Sequence, residues 1–162
     1  MGFSQGGIIS RFIVQECLSG DIGPKTRNLI TVGTPHMGVE TFAGCEIVEL
    51  EMLFNFFDPQ AMMNSATCYI LNYLTHLTYF LPFMQNTLTT NNYVRQGEKL
   101  DEYYEYQMFL PFLNNEVFHP DFARYRNNIM KLNSFTMVQW DDDSVLFPRE
   151  TAHFGQLSNA DG

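Results

Sequence analysis

Ser4 stands between Gly2 and Gly6 in the opening run Met1-Gly2-Phe3-Ser4-Gln5-Gly6-Gly7, a G-x-S-x-G spacing. A serine becomes a nucleophile when its hydroxyl is held exposed on a sharp strand-to-helix turn. The residues two places either side must then be small, because strand and helix approach closely there. Gly2 and Gly6 meet that need. A helix that starts directly after the serine adds its dipole and free N–H groups, which stabilise a developing oxyanion, and the N–H of Gln5 is the donor this spacing nominates. The same five residues also describe an ordinary glycine turn, so the reading depends on a helix following at once and a strand after it.

Such a serine needs a base, normally histidine, and the histidine needs an acid to fix its tautomer. Asp141, Asp142 and Asp143 close an alternating apolar run and open the stretch "DDDSVLFP". That puts them in a loop at the carboxyl end of a strand, where open α/β sheets carry their reactive groups. Most acidic runs are merely solvated turns. In α/β-hydrolases the chain order is serine, acid, histidine, and of His36, His76, His119 and His153 only the last follows the aspartates. A helix and a further parallel strand belong between acid and histidine, a crossover of about a dozen residues or more. The step from Asp143 to His153 is too short for it, so His153 reads as a surface or packing residue. His36, in "GTPHMG" after a strand, reads as loop packing, with a role near the site as the alternative. No His/Cys group has metal-ligand spacing, so neither a metal nor a cofactor is expected.

The elements that must position these groups follow from periodicity. Ile8, Ile9, Phe12, Ile13 and Cys17 repeat as one face of a helix that Gly20 ends. Gly23-Pro24 marks a turn, and "NLITVG" predicts a buried parallel strand over Leu29–Val32. Turn, helix, turn and strand make half of a βαβ unit, hence an α/β sheet with helices on its faces. From Thr41 to Pro111 the chain is rich in aromatics and Met, with Pro59, Pro82 and Pro111 at expected helix boundaries, and reads as a helical cap inserted between sheet strands. The framework resumes with an amphipathic helix through Phe122, Tyr125, Ile129 and Leu132 and a strand from Phe135 to Trp140. The expected division is 1–40 (serine turn, helix, strand), 41–111 (cap) and 112–162 (helix, strand, acid loop).

With 162 residues, 45% of them hydrophobic and 17% charged, the chain has material for a core. A formal net charge of −9 without a basic run argues against a nucleic-acid partner or an anionic membrane surface. The longest apolar stretch, "CYILNYLTHLTYFLPFM", contains Asn72, His76 and Pro82 and falls short of the roughly 20 apolar residues a bilayer span requires. No basic-then-apolar signal segment is readable. Cys17, Cys45 and Cys68 are an odd number, which leaves one thiol without a partner in the chain.

Taken in order, "MGFSQGG", "NLITVGTPHMGV", "NNYVRQGEKLDEYYEYQMFLPFLNN" and "YRNNIMKLNSFTMVQWDDDSVLFP" resemble the palmitoyl-protein thioesterases, lysosomal α/β-hydrolases that remove fatty acyl groups from protein cysteines. The resemblance runs from Met1 to about Gly155 and is weakest over Thr41–Thr90. It implies an incomplete α/β-hydrolase fold, a parallel sheet with a helical cap insertion. It further implies Ser4 as nucleophile, Asp143 before Ser144 as the acid, and Gln5 at the oxyanion hole. The resemblance sets the family's histidine, second oxyanion donor and early strands outside the chain, so residues 1–162 alone are expected to show no turnover. It aligns Cys17 with a cysteine bonded upstream in the family, and Cys45 with a short disulfide loop for which Cys68 is a displaced candidate partner. The cap of the family is glycosylated, whereas no N-x-Ser/Thr acceptor occurs here.

The implied substrates are S-acylated proteins or other acyl thioesters, and the implied location is lysosomal or secreted. An acyl chain needs an apolar groove, and the cap aromatics Phe54, Phe56, Phe57, Tyr79 and Phe80 are either its wall or a cap core. Two rivals stand beside this reading. One is a lipase or carboxylester hydrolase, since the serine turn does not distinguish ester from thioester. The other is a non-catalytic acyl-chain binder.

Overall fold

The structure is a computed structural model that describes residues 1–18, 26–40, 73, 81–87 and 89–155. Its centre is a three-stranded parallel sheet in the order β1 (Gly2–Phe3), β2 (Asn28–Val32), β3 (Ser134–Val138). Register is set by Gly2 beside Thr31 and by Thr31 beside Met137, so these three share one face. β2 contributes Leu29, Ile30, Thr31 and Val32, apolar or β-branched residues that suit a central strand. β3 stops at Val138, two residues short of the expected Trp140, and the ladder ends with Gly33 N–H donating to Val138 O at 2.8 Å.

α1 (Gln5–Cys17) joins β1 to β2 and packs on the sheet and on α5 (Phe122–Met130). Its buried face matches the one the apolar spacing suggested at Ile8 and Phe12 but turns away from Ile9, Ile13 and Cys17. Gly7, Ile8, Arg11, Val14 and Gln15 are buried, while Ile9 and Ile13 are 51% and 43% exposed. The helix is rotated because acceptors at Leu113 and Asn114 satisfy its two long polar side chains. Gln15 Nε2 donates to Leu113 O at 2.8 Å, and Arg11 Nη2 donates to Asn114 Oδ1 at 2.6 Å. A buried polar group costs free energy only when it lacks a partner.

Between β2 and β3 lie α2 (Pro82–Thr87), 3₁₀ turns at Thr89–Tyr93 and Gly97–Lys99, α3 (Leu100–Tyr106) and α4 (Leu110–Leu113). Pro82 and Pro111 sit in first turns, where a missing N–H costs nothing. Buried amides tie this segment together. Gln85 Nε2 donates to Tyr106 O and its Oε1 accepts from Met108 N–H, while Gln107 Nε2 donates to Asn91 O. A parallel bridge between Val39 and Val94 attaches it to the sheet's loops. Cys17 is a free, exposed thiol. Gly20, Gly23-Pro24, Cys45, Pro59, Cys68, His76 and the cap aromatics named above lie outside the described residues. Among the described residues no helix is long and apolar enough to cross a membrane.

Candidate active site

Ser4 is the last residue before α1, with φ 48° and ψ −128°, a conformation L-residues adopt only when their surroundings hold them there. Ser4 N–H donates to Val32 O at 2.9 Å, which anchors the bend to the end of β2. Ser4 is exposed and its hydroxyl makes no capping hydrogen bond to the helix, unlike the serine of an ordinary N-cap. Gln5 begins α1, where α-helices leave their first N–H groups without intrahelical acceptors.

The close approach around this bend is real but its partners differ from the expected pair. A Cβ on Gly2 would stand 2.5 Å from Gly6 O and 2.6 Å from Gly7 Cα. A Cβ on Gly7 would stand 1.9 Å from Thr34 Oγ1, whereas one on Gly6 would meet nothing within 4 Å. Gly2 lets the strand pass the helix, and Gly7, not Gly6, lets the helix press on the loop that leaves β2.

That loop begins at Gly33, whose φ of +52° favours glycine. Packed against Gly33 are Trp140, whose indole nitrogen is 3.2 Å from the position of an added Cβ, and Asp143, whose Oδ2 is 3.6 Å from it. Asp143 Oδ1 accepts the N–H groups of Val145 at 2.9 Å and Leu146 at 3.0 Å, so one carboxylate oxygen folds its own turn while the other faces the end of β2. The Ser4 bend and the Asp143 turn thus occupy the same carboxyl edge of the sheet, both leaning on the last residues of β2.

Three of the histidines, His36, His119 and His153, fall within the described residues. His36 is fully buried, its Nε2 2.9 Å from Thr31 Oγ1 and its ring stacked on Phe154 at 4.8 Å. Burial, helped by the charge of Arg11, lowers its pKa to about 3, so it is a neutral packing residue. The Arg11 guanidinium lies 5.0 Å from the centre of the Phe154 ring, and burial lowers its pKa to about 9. His119 Nε2 contacts Asn115 Oδ1 at 3.0 Å among Phe112, Phe122 and Tyr125. His153 is exposed, with Nε2 3.2 Å from Met137 O. Among the described residues no cluster of three metal-ligating side chains occurs.

Beside the serine bend lies a cavity of about 240 Å³ lined by Gln5, Ile8 and Ile9 of α1 and by Thr89, Asn92, Tyr93 and Phe109. Its walls are mostly apolar, and Gln5 ties it to the residue next to Ser4. This explains why Ile9 could be left outside the core: it walls a groove. Periodicity alone could not reveal that, because a groove wall and a core face share one pattern.

The profile of the family described as palmitoyl protein thioesterase matches residues 1–162. The chain belongs to this family. It is 28% identical over 162 residues to a palmitoyl-protein thioesterase-dolichyl pyrophosphate phosphatase fusion of Schizosaccharomyces pombe, covering all of this chain and 23% of that protein. It is 26% identical over 161 residues to palmitoyl-protein thioesterase 1 of Caenorhabditis elegans, covering 99% of this chain and 47% of the relative. A lysosomal thioesterase of Xenopus laevis is 33% identical over 63 residues, 39% of this chain and 22% of that protein. The chain therefore spans about a quarter to a half of the length of these relatives.

Proposed function

We propose that this chain carries the nucleophile, the cap and the acid loop of a serine-dependent acyl-thioester hydrolase acting on S-acylated proteins. The reading rests on one observation above the others: a strained, uncapped serine and a hydrogen-bonded carboxylate share the carboxyl edge of a parallel sheet. Membership of the palmitoyl protein thioesterase family supplies the substrate class. In this scheme Ser4 Oγ attacks the thioester carbonyl and its proton passes to a histidine. The Gln5 N–H stabilises the oxyanion, the carbon–sulfur bond breaks, and the thiolate leaves. Water then attacks the acyl-serine and releases the fatty acid. Asp143 orients the imidazole and stabilises its charged form.

His36, the one histidine on the loop after β2, is buried and neutral and does not serve as the base. The scheme takes the base from a histidine beyond the acid loop in the full-length polypeptide, within a complete α/β-hydrolase sheet of which 1–40 and 112–162 are core and 41–111 cap. The cavity beside Gln5 accepts the start of the acyl chain, its apolar walls excluding water from the alkyl groups. Lysosomal residence is part of the proposal, in keeping with the names of relatives.

The test is hydrolysis of palmitoyl-CoA against a triglyceride by the full-length polypeptide carrying residues 1–162, with Ser4→Ala as control. Thioester preference abolished by Ser4→Ala is the expected result. Preference for the glyceride would make the protein a lipase, and turnover surviving in Ser4→Ala would remove the serine from the chemistry.

A further inference from the structure

We propose that Thr151 is a positioning residue for Asp143, fastening the return of the acid loop to the loop that leaves β2; the proposal rests on the catalytic reading above. Thr151 is 1% exposed, on the 3₁₀ turn Arg149–His153. Its hydroxyl accepts the Met37 N–H at 2.8 Å and donates to Gly38 O at 2.8 Å. One side chain therefore satisfies two backbone groups of a loop that has no strand of its own to pair them, and it does so across 113 positions of sequence.

The link to the carboxylate is continuous. Asp143 Oδ1 fixes Leu146 N–H, and the Leu146 side chain is buried with Val39 and Ala152, the neighbours of Gly38 and Thr151. Phe147 O accepts the Glu40 N–H at 2.9 Å, a second tie between the same two segments. The loop so gripped starts at Gly33, against which Asp143 Oδ2 rests. The loop is also pinned from the far side, Val39 N–H donating to Tyr93 O and Arg95 N–H to Val39 O. Acid turn, 3₁₀ turn and β2 loop form a closed ring, held by the two bonds of the Thr151 hydroxyl and by the Glu40–Phe147 bond. Phe154, in the left-handed region at φ 61°, stacks on the His36 ring and contacts the Arg11 guanidinium, two further attachments of the 3₁₀ turn's end.

Thr151→Val keeps shape and burial but removes both hydroxyl bonds, loosening the ring to the Glu40–Phe147 tie. A displaced acid costs rate without changing substrate contacts, so kcat is expected to fall about 10- to 100-fold with KM within about twofold. A carboxylate moved away from an imidazolium also ceases to stabilise it, so the acidic limb of the pH–rate profile shifts to lower pH. Thr151→Ser retains the hydroxyl and restores both.

The assay is palmitoyl-CoA hydrolysis by the full-length polypeptide, with rates referred to serine sites titrated by a fluorophosphonate so that unfolded protein is not read as slow turnover. Thr151→Ala, which also lacks the hydroxyl, repeats the measurement should Thr151→Val fold poorly. A hydroxyl-free variant with lowered melting temperature but parental kcat and pH limb overturns the proposal, as does equal loss in Thr151→Ser. Asp143→Asn separates the two levels. If it leaves kcat intact, the catalytic reading fails and the proposal with it. If it inactivates while Thr151→Val does not, the proposal alone fails.

Discussion

Alanine at each of the three glycines near Ser4 should have three different effects, although Gly2 and Gly6 occupy equivalent places in the motif. At Gly2 the added methyl meets backbone, Gly6 O at 2.5 Å and Gly7 Cα at 2.6 Å, and neither can swing aside. The strand must lift from the helix, a cost at the upper end of overpacking, about 3 kcal/mol. At Gly7 the methyl would overlap the buried Thr34 side chain, 1.9 Å from its Oγ1. That overlap costs about 2–3 kcal/mol, and alanine's better helix propensity returns about 1 kcal/mol, leaving a net loss of about 1–2. At Gly6 nothing lies within 4 Å, so only the propensity gain of about 1 kcal/mol remains. For a domain of this size each kcal/mol moves Tm by about 2–4 °C. Thermal unfolding followed by circular dichroism should rank Gly6→Ala above the parent, Gly7→Ala below it and Gly2→Ala lowest, by about 6–12 °C. Thr34→Ala should partly rescue Gly7→Ala, because it removes the Oγ1 and Cγ2 overlaps and leaves only the Cβ at 2.8 Å. A Gly6→Ala protein that melts as low as Gly2→Ala, or a Gly7→Ala protein indifferent to Thr34→Ala, would refute the steric reasoning.

Acid should destabilise the fold through His36. Its pKa is lowered from 6.5 to about 3 on folding, so the native state binds fewer protons than the unfolded one; stability is fully present above pH 6.5 and is lost as pH falls toward 3. Between pH 7 and pH 5 the loss is about 2 kcal/mol, measurable by urea titration, and His36→Gln should flatten that slope; an unchanged slope would contradict the assignment. Glu116 accepts from Tyr103 Oη at 2.6 Å and pairs with Arg95 at 3.0 Å, all three largely shielded from solvent. Glu116→Leu removes the counter-charge of a buried guanidinium and should cost about 3–5 kcal/mol, with Glu116→Gln milder; a Glu116→Leu melting temperature equal to the parent's would show the pair to be idle.

The strands and helices were legible where local signals are strong. "NLITV" is β-branched and short, and the serine turn, α1 and the acid loop follow from glycine, periodicity and strand polarity. Which face of α1 is buried was legible only in part, since Arg11 and Gln15 go inside only because Asn114, Leu113 and His36, all distant in sequence, supply acceptors. The same limit hid Gly7, whose tight partner Thr34 is 27 positions away, and Thr151, a plain threonine until Met37 and Gly38 lie against it. For His36 the sequence left packing and a role near the site as alternatives, and its burial against Thr31 and Phe154 is a long-range outcome. Local rules name what a residue can do, and long-range contacts decide whether it does so.

The most direct test of Ser4 as nucleophile is peptide mass spectrometry of the full-length polypeptide quenched during turnover of palmitoyl-CoA. A single palmitoyl group on the peptide containing Ser4, lost in Ser4→Ala, is the predicted result. An acyl group carried on any other residue, or steady turnover in Ser4→Ala, would contradict the account.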